Sequence, residues 1–167
     1  MIIVVTGVMG AGKTTIGTAL AARLGWRFFD ADDFHSADNW AKLSRGEALT
    51  DADRMPWLGR LREEIGAFLD RGESAVLACS ALKQAYRDAL VPAHAPEDAV
   101  RFVYLDADPK LTAERLVGRA GHRADAALLQ SQFAALEEPL DALRVDTAAP
   151  VPQIVQVIID AWTLTPK

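Results

Sequence analysis

The sequence predicts an α/β fold with a mainly parallel sheet. Two observations carry that expectation. Short apolar, β-branched runs alternate along the chain with segments of helical periodicity. The first of these runs also passes through a glycine-rich turn, G-V-M-G-A-G-K-T, directly into a helical pattern. Length and composition agree with this. A chain of 167 residues, half hydrophobic and a quarter charged, suits a single domain over residues 1–167 whose core needs no staples.

Ile2 to Thr6 reads as a strand buried on both faces. Lys13 to Leu24 reads as a helix ended by Gly25. Arg27 to Asp30 is a second short strand, and His35 to Ser44 a helix stopped by Gly46. Arg54 to Asp70 is a longer helix, with Leu58, Leu61, Ile65 and Phe68 marking its buried face. Ala75 to Cys79 is a third strand and Ala81 to Leu90 a helix. Val91 to Asp98 is a proline-punctuated loop before a fourth strand, Val100 to Leu105. Pro109 opens the next helix at a favoured position, and Ala120 to Ala124 interrupts it. Ala126 to Leu136 is helical, Leu143 to Asp146 is a brief fifth strand, and a last helix runs from about Pro152 to Trp162.

A net charge of −5 gives no general electrostatic footprint for nucleic acid. No apolar run approaches the roughly 20 residues of a membrane span, and the opening M-I-I-V-V-T-G lacks the form of a secretory signal. The single cysteine, Cys79, rules out an internal disulfide framework. The expected setting is a reducing cytoplasm.

Gly7 to Thr14 fits G-x-x-x-x-G-K-[ST]. Gly7, Gly10 and Gly12 allow the tight turn, and N–H groups along Ala11, Lys13, Thr14 and Thr15 are set to meet phosphate oxygens. Lys13 brings positive charge to the β- and γ-phosphates, the Thr14 hydroxyl suits Mg²⁺, and the helix adds its positive N-terminal end. A chance glycine turn would have no reason to sit between a buried-type strand and a helix. The expected ligand is ATP with Mg²⁺. No N-K-x-D segment is present to specify guanine, and a short chain with this loop at its start favours a compact kinase over a switch or motor.

D-A-D-D-F-H, Asp30 to His35, gathers three carboxylates and an imidazole at the end of the second strand. In an open α/β sheet that rim also carries the phosphate loop. Asp32 is the candidate for contact with the acceptor hydroxyl and for the base. Asp30 suits the outer shell of the metal, and Asp33 suits a helix cap. The plainer reading is a solvated turn with a cap. His35, Asn39 and Lys42 are spaced i, i+4, i+7, which on a helix puts them on one face.

The stretch from Asp30 to Leu58, with D-A-D, His35, Asn39, D-A-D-R and P-W-L, resembles the gluconate kinase family. C-S-A-L-K-Q-A-Y-R-D, Cys79 to Asp88, and H-R-A-D-A-A-L-L-Q-S-Q-F-A-A-L-E-E-P, His122 to Pro139, resemble two further blocks of that family. With the phosphate loop, the resemblance reaches from residue 2 to about 139. It implies an ATP-dependent kinase that makes 6-phospho-D-gluconate. The implied fold is that of the P-loop nucleoside triphosphate hydrolases, a three-layer α/β/α sandwich of five parallel strands in the order 2-3-1-4-5, and the implied assembly is a homodimer. The acceptor is an open-chain polyol with a carboxylate, so it needs cations and many hydrogen-bonding groups. Arg54, Lys83 and Arg87 supply the charge, and an arginine can bind a carboxylate in a bidentate manner. His35, Asn39, Ser80 and His122 are matched to the acceptor.

Glu114 to Arg123 holds three arginines around a glycine pair. The resemblance places a lid at about residues 118–135, with Arg115 and Arg119 set to stabilise charge on the transferring phosphoryl when closure excludes water. The chain departs from the family pattern at Ala31, Val91, Arg123 and Ala124. Shikimate kinases resemble the phosphate loop and the D-x-D, but lack the D-R-M-P-W and C-S-A-L-K blocks. A regulatory nucleotide binder with no acceptor would have no need of Asp32.

Overall fold

The computed structural model describes residues 1–117 and 124–165. Five strands form one sheet: β1 (Ile2–Thr6), β2 (Arg27–Asp30), β3 (Ala75–Ala78), β4 (Val100–Asp106) and β5 (Leu143–Asp146). All pair in parallel, in the order β2-β3-β1-β4-β5. The helices among the described residues are α1 (Lys13–Leu24), α2 (Ala37–Ser44), α3 (Asp51–Asp70), α4 (Gln84–Leu90), α5 (Pro109–Val117), α6 (Ala124–Ala135) and α7 (Val151–Ala161). None is long and apolar enough to cross a membrane.

The two-residue period of β1 divides the core. Ile3 and Val5 pack with Leu20, Leu24 and Ile158 on the side of α1 and α7. Ile2 and Val4 pack with Trp57, Leu61, Ile65 and Leu90 on the side of α3 and α4. All five residues of β1 are buried, as expected of a central strand in a sheet covered on both faces. Burial on both faces fixes the strand's register, and with it the point where the chain leaves for the phosphate loop.

Three elements on the acceptor side differ from the sequence expectation. The helix expected from His35 starts two residues later, at Ala37. Ala31–Phe34 forms a 3-10 turn whose Asp32 N–H meets the Asp30 carboxylate, and α2 begins only after Ser36 caps it through Asn39 N. The helix expected from Arg54 starts at Asp51, because Thr50 and Asp53 close a reciprocal capping box. Pro56 therefore lies inside α3 and has no N–H for the Ala52 carbonyl. The helix expected from Ala81 begins at Gln84, since Ala81 holds a left-handed conformation at φ 38°.

Candidate active site

The phosphate loop spans Gly7 to Gly12 between β1 and α1. Gly12 caps α1 at φ 103°, a conformation L side chains rarely adopt, and a Cβ on Gly7 would come within 3.1 Å of the Leu105 carbonyl. Lys13 folds over the loop and donates to the Val8 carbonyl at 3.0 Å. Burial lowers its pKa, while the carboxylates of Asp32 and Asp30 pull it back. Thr6 and Gly7 both donate to the Ser80 carbonyl, so the end of β3 is stitched to the start of the loop. Ser80 thus enters the site first through its backbone.

Beyond the loop lies a cavity of about 380 Å³, bounded by Gly10 to Ile16, Arg115, Thr147, Ala149, Val151 and Ile154. Arg115 is anchored there by a 2.8 Å bond to the Thr147 carbonyl. Its polar floor and mixed wall suit triphosphate and base. Sequence reasoning had singled out Arg115 but not Thr147, Ala149, Val151 or Ile154. The rule that ligands sit beyond the carboxyl ends of strands, applied to β5, would have pointed to them.

Asp30 ends β2 and turns back toward the loop. Thr14 Oγ1 donates to Asp30 Oδ2 at 2.8 Å. A hydroxyl and a carboxylate side by side at the loop are hard oxygen donors, the type that suits a divalent cation completing its shell with phosphate and water. The described residues contain no cluster of three or more His, Cys, Asp or Glu able to hold a metal, so any such ion would depend on the nucleotide for ligands. Asp32 sits one turn on, its side chain open to the groove. Partial desolvation and the neighbouring Asp30 carboxylate raise its pKa, with Lys13 opposing them. Those charges place Asp30, Asp32 and Lys13 in one electrostatic unit.

The wall behind Asp32 comes from α2 and α3. Trp57 is buried and donates Nε1–H to the Ala31 carbonyl at 2.7 Å, fixing the 3-10 turn. His35 stacks on Trp57 with ring centroids 4.4 Å apart and meets Trp40 edge-on. Its Nε2 lies 3.7 Å from Asp32 Oδ1. Burial, then Arg54 and Arg60, push the His35 pKa down to about 4, so the ring is neutral near pH 7. Asn39 and Lys42 do not line the groove as the expected stripe would. Asn39 is buried behind His35, and Lys42 Nζ is paired with Asp53 at 2.7 Å.

The cations expected for the acceptor separate into two kinds. Lys83 and Arg54 remain at the groove. Lys83 Nζ bonds both Asp51 oxygens at 2.9 and 3.0 Å, Tyr86 OH also bonds Asp51, and the Arg54 guanidinium lies 5.6 Å over the Tyr86 ring. Arg54 gives its Nε to the Leu49 carbonyl. Arg87 is different. It is buried and donates to the carbonyls of Ala81 and Leu82 and to Gln84 Oε1, so it shapes the loop that carries Lys83. Arg119 and His122, with Arg123, lie outside the described residues.

Two contacts, one from the C-terminal part of the expected lid and one from the turn just after it, had no sequence signal. Gln132 Oε1 accepts from Met9 N in the phosphate loop at 2.7 Å, and Glu137 Oε2 accepts from Gln84 N at 2.7 Å. The end of α6 and the turn after it are thereby tied to both halves of the site. Cys79 is buried, and burial pushes its thiol up to about 12, which leaves it no nucleophilic part.

A family model described as an AAA domain matches residues 2–142. The gluconokinase of Gluconobacter oxydans is 46% identical over 139 residues, covering 83% of this chain and 76% of that protein. A sugar kinase from a Janibacter species, solved without ligand, superposes with a TM-score of 0.87 at 41% identity over 99% of this chain and 95% of its own. A gluconokinase from Sinorhizobium meliloti superposes with a TM-score of 0.81 at 41% identity over 92% of this chain and 86% of its own.

Proposed function

The chain belongs to the AAA domain family and, within it, to the gluconokinases, and on that premise we propose that it transfers the γ-phosphoryl of ATP to the terminal hydroxyl of D-gluconate, giving ADP and 6-phospho-D-gluconate. The observation that carries the reading is the pairing of two sites across one groove. The phosphate loop with Lys13 lies on one side. On the other, Asp32 is followed along the wall by the cations Arg54 and Lys83. A hydroxyl at one end and a carboxylate at the other is the acceptor such a wall fits.

The loop N–H groups and Lys13 hold the phosphates and take up charge as the bond to the leaving oxygen lengthens. Thr14 and Asp30 would hold Mg²⁺, which would neutralise phosphate charge. Asp32 orients the acceptor hydroxyl and takes its proton as the new O–P bond forms and the bridging O–P bond breaks. Its raised pKa favours that proton. Arg54 and Lys83 bind the acceptor carboxylate, Lys83 by exchanging Asp51 for it. Arg115 holds the nucleotide, and Arg119 and His122 take the roles that the resemblance implies.

The departures at Ala31 and Val91 sit lightly on this reading. The Ala31 side chain is buried and its carbonyl still receives Trp57. Val91 follows the far end of α4 from Lys83. We place the reaction in a reducing cytoplasm, where a lone buried thiol stays reduced.

The test is ADP release with Mg·ATP and a panel of D-gluconate, shikimate, other sugar acids and no acceptor. The expected result is turnover that depends on gluconate, with 6-phosphogluconate as product. Turnover on shikimate alone would move the protein to another acceptor. ATP binding without any acceptor-dependent turnover would favour a regulatory binder.

A further inference from the structure

His35 has a place in the reaction different from a contact with an acceptor hydroxyl, and the hydrogen bonds behind it say which. The Asp53 backbone carbonyl can only accept, and Asn39 Nδ2 lies 3.1 Å from it. That fixes which end of the Asn39 amide is nitrogen. The same Nδ2 lies 3.4 Å from His35 Nδ1. A nitrogen with two hydrogens, one already given to Asp53, directs the other at Nδ1, so Nδ1 must be the acceptor. The ring proton then belongs on Nε2, the nitrogen that faces Asp32 Oδ1 at 3.7 Å. The ring lies flat on Trp57, which is tied to Ala31, and Asn39 is buried.

We propose that His35 is a positioning residue, a neutral imidazole held by Asn39 with its proton on Nε2 so that Nε2–H orients Asp32 through Oδ1 and leaves Oδ2 for the acceptor hydroxyl. The separation of 3.7 Å is long for a hydrogen bond, and it shortens when the acceptor settles against Asp32, as catalytic contacts commonly do. The proton on Nε2 stays where it is during transfer. The acceptor's proton goes to Asp32. The charged groups that face His35 are Asp32 from the 3-10 turn and Arg54 and Arg60 from α3. The two arginines oppose a second proton on the ring. This inference rests on Asp32 acting at the acceptor hydroxyl, but its first test does not need turnover.

Nitrogen-detected NMR of the histidine rings in the intact protein near pH 7 reads the tautomer directly. The expected result is a His35 ring with protonated Nε2 and bare Nδ1. A ring protonated on Nδ1, or on both nitrogens, overturns the proposal whatever the acceptor proves to be. The second test compares His35→Phe, which keeps the stack on Trp57 and loses the donor, with His35→Gln, which restores an N–H. The expected loss in His35→Phe is roughly 10- to 100-fold in kcat with KM for ATP unchanged, as for a misplaced catalytic group, and His35→Gln regains most of it. A His35→Phe enzyme within twofold of wild type, or one that loses only acceptor KM, overturns the proposal. Equal losses in Phe and Gln variants would also overturn it. Absence of gluconate turnover in the wild-type protein would strike the reading above and leave the tautomer result standing.

Discussion

The phosphate side and the acceptor side of the groove are built on different principles. On the phosphate side, backbone does most of the holding: Gly12 at the head of α1, the loop N–H groups, and a buried β1 that fixes where they stand. On the acceptor side the wall is a mesh of side chains drawn from separate segments. Trp57 meets Ala31, Asn39 meets Asp53, and Lys83 and Tyr86 meet Asp51. A backbone cradle accepts any triphosphate of the right shape. A side-chain mesh can be retuned one residue at a time. On the proposed reading, the chemistry common to such enzymes lies on one side and the choice of acceptor on the other.

The sharpest break between the two sides is Asp32→Asn. It should lower kcat by about 10²- to 10⁴-fold, the range for a lost general base, while calorimetry still finds ATP bound. Turnover near wild type would remove Asp32 from the chemistry. Lys13→Met, on the opposite side, should cost about 10²- to 10³-fold in kcat, as for a lost charge-stabilising donor. Unlike Asp32→Asn, it should also weaken ATP binding, so the two variants separate in the same titration.

Acid should reach the acceptor wall through His35. Its folded pKa of about 4 lies below the ordinary 6.5. Between those values the unfolded chain binds a proton that the folded ring refuses, so stability falls as pH drops through that window and is level below it. The full contribution is about 3 kcal/mol, measurable by urea unfolding from pH 7 to pH 4. His35→Phe should flatten that part of the profile. The smallest effect belongs to Asp51→Asn. It frees Lys83 and Tyr86 from an exposed partner that the acceptor carboxylate must displace. KM for gluconate should fall by about fivefold at most, the scale of an exposed ion pair, with kcat unchanged. A raised KM would mean that Asp51 organises the cations and does not compete for them.

This contrast also sets what could be read from the sequence. The phosphate loop is a contiguous pattern whose mechanism depends on eight neighbouring residues, and strand, loop and helix fall where the pattern puts them. Asp30 and Asp32 were legible because strand ends of such sheets converge on one rim. The rest of the acceptor wall depends on partners far apart in the chain. The i, i+4 spacing of Lys83 and Arg87 suggested two cations on one face. Lys83 instead stands at the cap of α4, while Arg87 turns inward to bind the carbonyls of Ala81 and Leu82. His35 was expected at the head of a helix, but Ser36 caps α2 just after it and leaves His35 at the end of the 3-10 turn. The hold of Gln132 on Met9 joins residues 123 positions apart, and no local period marks it.

The sealed thiol of Cys79 has a practical consequence. With its only cysteine buried and about four pH units short of ionising near pH 8, the protein offers a silent background for maleimide dyes. One cysteine introduced at exposed Ala113 on α5 would carry a fluorophore alone, with no native residue to be deleted first.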